Sequence, residues 1–187
     1  MEMERLEIDG AWIGQSPIYS DERGFFREWF KSSDLELAIG SEFEVAQSNL
    51  SMSHRGAMRG IHYSLAPIGQ AKWITCVSGS IWDVVVDIRP SSPTFKRWIG
   101  VLLSADNGKA IFISKDLGHG FMSLEDNSVV SYMLTSPYSP AEEFEINPLD
   151  PELGIGWPLA DHVMSPKDES APTLAMRLAE GKLPKIN

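Results

Sequence analysis

The sequence is short of the residues that crosslink chains, hold metals or carry positive charge. It has a single cysteine, Cys76, in 187 residues. One thiol cannot close an intrachain disulfide, which suits a reducing compartment. Cys76 sits in the apolar run Trp73-Ile74-Thr75-Cys76-Val77, the setting of a small buried hydrophobe. Histidines number four, His54, His62, His119 and His162, with no His-x-His pair. A site built on His62 and His119 would lack a third ligand, so no metal is expected. Lys and Arg total 16 against 26 Asp and Glu, a net charge of −10. That balance argues against nucleic-acid binding, which calls for a basic stripe. An anionic ligand would need a local cluster of Arg and Lys to overcome the overall field. No stretch approaches the roughly 20 apolar residues of a membrane span. The N-terminus, Met1-Glu2-Met3-Glu4-Arg5, lacks the apolar core of a signal peptide. The expectation is a cytoplasmic protein without a membrane partner.

What is present is an ordinary globular balance, 43% hydrophobic and 22% charged residues. The length suits one domain over residues 1–187. Turn signals recur about every ten residues, the spacing of an all-β sandwich or barrel. The apolar runs 43–52, 71–77, 81–88, 98–103, 110–113, 121–124 and 129–135 are rich in Val, Ile, Trp and Phe, which pack well on a pleated surface. Ser78-Gly79-Ser80, Arg89-Pro90-Ser91-Ser92-Pro93, Asp106-Asn107-Gly108 and Glu125-Asp126-Asn127 read as turns between them. Two short helices flank the strands. Ser33 to Glu36 matches a capping box, and Gly40 would end that helix. Ser170-Ala171-Pro172 would open a second helix through Met176 and Leu178, closed by Gly181 and Pro184. The proline-rich segment 136–165 reads as an ordered wrap, anchored by Phe144, Ile146, Leu153, Ile155, Trp157 and Leu159.

Side chains alternate across a strand. Gln47, Asn49 and Ser51 therefore share a face; Lys72 lies with Ile74 and Cys76, His119 with Phe121, and Tyr132 with Val130. Each polar residue alone has an ordinary structural reading, as a hydrogen-bonded His, an edge Tyr or a snorkelling Lys. Together, on faces turned to the interior of a small barrel, they describe a polar pocket, because buried polar groups need partners and a ligand is one candidate. In Met58-Arg59-Gly60-Ile61-His62-Tyr63, strict alternation would send Arg59 and His62 to opposite faces. If both line one pocket, the strand must bulge, and Gly60 is the natural place.

Several segments, taken in order, resemble one family. They are Asp21-Glu22-Arg23-Gly24-Phe25-Phe26-Arg27-Glu28, Gln47-Ser48-Asn49-Leu50-Ser51, Arg59-Gly60-Ile61-His62-Tyr63 and Gln70-Ala71-Lys72, then Asp83 to Arg89, Gly118-His119-Gly120-Phe121 and Ser165-Pro166-Lys167-Asp168. Across nearly the whole chain the set is similar to the dTDP-4-dehydrorhamnose 3,5-epimerases, including the epimerases of antibiotic-sugar pathways. Asp116, where the family commonly has Gly, and Ala57-Met58 before Arg59 depart from the pattern.

The resemblance implies a mainly β, cupin-like jelly-roll barrel with short flanking helices, assembled as a homodimer and needing no cofactor. It implies a thymidine-diphospho-4-keto-6-deoxyhexose as substrate. His62 matches the base, Asp168 the carboxylate that orients it, Tyr132 the acid on the opposite face of the sugar and Lys72 the cation near the C4 oxygen. Arg23 and Arg59 match diphosphate contacts and Lys167 another basic contact. Glu28, Gln47, Asn49, His119 and Glu143 match polar contacts, and Tyr138 the aromatic that stacks on thymine. In relatives, Arg23 and Glu28 reach into the neighbouring subunit. A single C3 or C5 epimerase, a sugar-nucleotide-binding cupin without catalysis, and a metal-dependent cupin stand as alternatives.

Overall fold

A computed structural model describes residues 1–65 and 69–185. The strands are β1 (Glu2–Arg5), β2 (Ala11–Gln15), β3 (Tyr19–Asp21), β4 (Gly24–Phe26), β5 (Gln47–Ser53), β6 (Met58–Ser64), β7 (Lys72–Ser78), β8 (Ser80–Val86), β9 (Trp98–Ser104), β10 (Lys109–Ile113), β11 (Gly118–Ser123), β12 (Ser128–Leu134) and β13 (Glu143–Glu145). Among the described residues three short helices accompany them, α1 (Ser32–Ile39), α2 (Pro166–Glu169) and α3 (Leu174–Ala179).

Among the described residues, β3 and β4 form a separate hairpin, and the other eleven strands form two antiparallel sheets, ordered β1-β2-β10-β7-β12-β5 and β13-β6-β11-β8-β9. Neither closes on itself, so the barrel expected from sequence is an open jelly roll of two facing sheets. Period-two alternation supplies the interior. Ile74, Cys76, Ile111 and Val130 of the first sheet meet Ile81, Val85, Leu103 and Phe121 of the second, all nearly inaccessible to water. The opposite faces are covered as well. Trp73, Ala110 and Phe112 pack under Leu35 of α1 and Phe43. Ile61, Tyr63, Val84 and Val86 pack under Ile146, Leu153, Leu174 and Leu183. Segment 136–165 thus wraps the second sheet as read, and it adds the edge strand β13.

Several boundaries differ from the sequence reading. The first run begins its ladder at Gln47 rather than at residue 43, because Phe43 is committed to packing beneath α1. Helix α1 starts at Ser32 with Lys31 as N-cap and no side-chain cap, so the capping box does not form. Glu36 instead accepts a bond from the Phe43 N–H at 3.1 Å, and Gly40 ends the helix in the left-handed region at φ 72°. Helix α3 opens at Thr173, whose Oγ1 accepts from the Met176 N–H, rather than at Ser170. Among the described residues the hairpin β3–β4 pairs with no other strand, and it leaves Tyr19, Phe25 and Phe26 more than half exposed.

Candidate active site

The site is organised by an irregularity in β6. Across the β6–β11 ladder, His62 pairs with His119 and Arg59 with Phe121. Three steps on one strand therefore match two on the other, which is a bulge. Gly60 makes it possible. Its φ is +128°, and a Cβ there would lie 2.5 Å from Gly120 Cα and 2.8 Å from the His119 carbonyl oxygen. The extra residue turns Arg59 and His62 to the same side, and both line one cavity of about 580 Å³.

The inner faces of β5, β7, β11 and β12 complete that cavity with Gln47, Asn49, Ser51, Lys72, His119 and Tyr132, the polar faces read from sequence. Tyr138 and Glu143 stand at its rim. An adjoining cavity of about 440 Å³ shares Arg59, His62, Tyr138 and Glu143 and adds Lys167 and Asp168. Arg59, Lys72 and Lys167 are the local positive cluster that an anion would require of a chain carrying −10.

Two histidines in the cavity are each held by a carboxylate. His62 Nε2 lies 2.7 Å from Asp168 Oδ1. Asp168 comes from α2, where Ser165 caps the helix by accepting from the Asp168 N–H at 3.1 Å and donates its own hydroxyl to Asp168 Oδ2 at 3.0 Å. Burial pushes the Asp168 carboxyl up, but the bonds from His62 and Ser165 and the charge of Lys167 outweigh it and leave the pKa below its usual value. The second pair is His119 Nε2 with Asp83 Oδ2 at 2.8 Å. Burial there lowers the pKa of His119, against the opposing pull of Asp83.

Lys72 is 8% exposed, and burial depresses its pKa while Glu143 and Asp83 pull it back up. The Tyr132 phenol lies 2.7 Å from Ser51 Oγ, and burial pushes its pKa up to about 12. Polar side chains at the entrance are pre-set by one another. Gln47 donates to Asn49 Oδ1 at 2.8 Å and accepts from the Tyr138 N–H at 2.9 Å, and Ser64 donates to Glu143 at 2.6 Å. Arg59 donates to Ser53 Oγ at 3.2 Å. Lys167 pairs with Glu145 at 3.0 Å.

Arg23 and Glu28 are the two sequence-derived candidates that this chain does not bring to its own cavity. Arg23 sits on the hairpin, 89% exposed and paired with Asp21 at 2.5 Å, and Glu28 is exposed just beyond it. Among the described residues, no group of three or more His, Cys, Asp or Glu side chains is arranged to share a metal ion. Asp83, Ser165 and the hydroxyl contact of Ser51 are site features that sequence reasoning did not single out. A carboxylate inside the apolar run 81–88 was the available signal for Asp83.

Known proteins share this fold. A 3'-monoepimerase from Streptomyces bikiniensis, solved in complex with dTDP-quinovose, superposes with a TM-score of 0.95 at 47% identity, covering 98% of this chain and 93% of that one. A 4-keto-6-deoxy sugar epimerase from the novobiocin biosynthetic gene cluster of Streptomyces spheroides gives a TM-score of 0.97 at 41% identity, covering 99% and 93%. The dTDP-4-dehydrorhamnose 3,5-epimerase of Mycolicibacterium smegmatis is 43% identical over 98% of this chain and 91% of its own length. A family model for dTDP-4-dehydrorhamnose 3,5-epimerase matches residues 5–176, and the chain belongs to that family.

Proposed function

We propose that residues 1–187 form one epimerase domain that inverts C3 and C5 of a thymidine-diphospho-4-keto-6-deoxyhexose. The observation that carries this reading is His62, held 2.7 Å from Asp168 and lining the same cavity as Lys72 and Tyr132. A C4 ketone acidifies the protons on C3 and C5. His62 takes one of them on Nδ1, since Nε2 is engaged with Asp168. The anionic Asp168 stabilises the imidazolium so formed, as the Asp of a catalytic triad does. Negative charge moves to the C4 oxygen as the enolate forms, and the ammonium of Lys72 meets it in a water-poor cavity where such a contact is strong. Tyr132 returns a proton from the opposite face. The overall change is isomerisation, with no electron transferred.

Arg59 and Lys167 suit a diphosphate, and Tyr138, 59% exposed at the rim, offers a ring for a base to stack on. Gln47, Asn49, His119 and Glu143 supply hydrogen bonds to the sugar. The exposed hairpin with Arg23 and the nearby Glu28 fits a homodimer in which each chain reaches the other's cavity. Light scattering at the working concentration tests that assembly, and a monomer would remove it. A cytoplasmic location accords with a substrate made from activated nucleotides, and no described helix is long and apolar enough to cross a membrane.

The test of the reaction is proton NMR with dTDP-4-keto-6-deoxyglucose in deuterated water. Loss of signal at both C3 and C5 is the expected result. Loss at C3 alone would establish the second reading, a single epimerase, which the similarity to the Streptomyces bikiniensis 3'-monoepimerase favours. Absence of exchange at either carbon would overturn both.

A further inference from the structure

We infer that Ser51 is a positioning residue that aims the Tyr132 proton at the sugar and passes a proton back to the phenol between transfers. The inference rests on the proposed role of Tyr132 as the acid.

Across the β12–β5 ladder, Val130 pairs with Ser51 and Tyr132 with Asn49. The inner-facing side chains of the two strands are thereby neighbours, and Ser51 Oγ lies 2.7 Å from the Tyr132 phenolic oxygen. Either hydroxyl could be the donor in the resting protein. Chemistry breaks that tie. If the phenol donates to Ser51, its only proton is turned away from the sugar and cannot reach carbon. For Tyr132 to act as an acid, Ser51 must donate and Tyr132 must leave its own O–H free for the cavity. After transfer the phenol is a phenolate, which can only accept. Burial makes that anion costly, as the pKa of about 12 records, and the Ser51 hydroxyl lowers the cost.

Resetting follows the same line. Tyr132 must regain a proton before it can serve a second carbon. β5 is the edge of its sheet, and Ser51 and Tyr132 are both half-buried and line the same cavity, where the Ser51 hydroxyl can meet water. The Ser51 proton moves to the phenolate oxygen as Ser51 takes one from water. The imidazolium of His62 releases its proton to water, so no charge accumulates over a cycle.

The test compares the wild-type protein with Ser51→Ala, Ser51→Thr and Tyr132→Phe. Each is incubated in deuterated water with dTDP-4-keto-6-deoxyglucose, and exchange is measured against inversion at each carbon. The His62 face can return a deuteron without inversion, whereas inversion needs the Tyr132 face. Ser51→Ala is expected to raise the ratio of exchange to inversion roughly tenfold or more, while Ser51→Thr, which keeps the hydroxyl, restores it. A wild-type ratio in Ser51→Ala would overturn the inference, as would a Ser51→Thr that fails as badly as Ser51→Ala. Wild-type inversion in Tyr132→Phe would remove the acid assignment itself. Loss of inversion in Tyr132→Phe with a normal Ser51→Ala would remove only the role of Ser51.

Discussion

Two histidines line the cavity, each paired with an aspartate behind it, and the two pairs sit in different surroundings. His62 and His119 are direct partners across the β6–β11 ladder. The His62 side chain is 36% exposed, and its Asp168 lies on a short helix with a serine donating to the second oxygen. The His119 side chain is 6% exposed, and its Asp83 projects from the middle of β8 with Oδ1 buried and, among the described residues, unpartnered. A base that must load and unload protons needs access to water and a carboxylate held in one orientation. A group that only orients substrate gains by being sealed. Under the proposed function, turnover belongs to the open pair and rigidity to the closed one.

The largest effect should come from breaking the open pair. His62→Asn should fold normally and lose about 10²–10⁴-fold in exchange at both carbons, because the base is gone. Full activity in the purified variant would reject the assignment. Next in size is the backbone that brings the pairs together. Gly60→Ala would force a Cβ into Gly120 and the His119 carbonyl at a φ of +128°. It should cost roughly 3 kcal/mol or more in urea unfolding. A stability equal to wild type would show that the bulge is not required.

The two carboxylates should separate when each is removed in turn. Asp83→Ala leaves a deeply buried histidine without its partner and should cost about 3 kcal/mol of stability. Asp168→Ala should cost less stability and more activity, since His62 keeps access to water. Equal losses in both measures for both variants would erase the distinction. The smallest effect is on pH dependence. The folded pKa of His119 lies below the ordinary 6.5, so below that pH the unfolded chain binds more protons and stability falls. The folded pKa of Asp168 lies below the ordinary 3.8, so its stabilisation is present above that value and is lost as pH drops further. Unfolding curves across both windows should show the first decline disappear in His119→Gln and the second persist. An unchanged first decline would assign it to another group.

Legibility varied with how local each feature was. Runs 71–77, 98–103 and 129–135 were readable because alternation and β-branched content are local, and they became β7, β9 and β12 within a residue at each end. Strand β1 was not, because Glu2-Met3-Glu4-Arg5 is an exposed edge with no apolar alternation. The α1 cap was misplaced because Glu36 had a stronger use, bonding the Phe43 N–H after the chain turned back. In the site, the polar faces of β5, β7, β11 and β12 were legible one strand at a time.

Sequence alone determined the strand faces and, through ordered motifs, the family, and it offered a bulge at Gly60 on the condition, met by the structure, that Arg59 and His62 line one pocket. These depend on the covalent period of the chain and on the one residue that tolerates its φ there. The resemblance alone had paired Asp168 with His62, 106 positions apart; tertiary structure decided the contact itself, and also that Asp83 seals His119 and that Ser51 faces Tyr132. Such pairings depend on which strands become neighbours, and nothing in the local order of residues encodes a distance between strands. Tertiary structure also placed Arg23 and Glu28 outside their own cavity, where the resemblance had them reaching a neighbouring subunit, because a hairpin that among the described residues pairs with no other strand is placed by the fold and not by its composition.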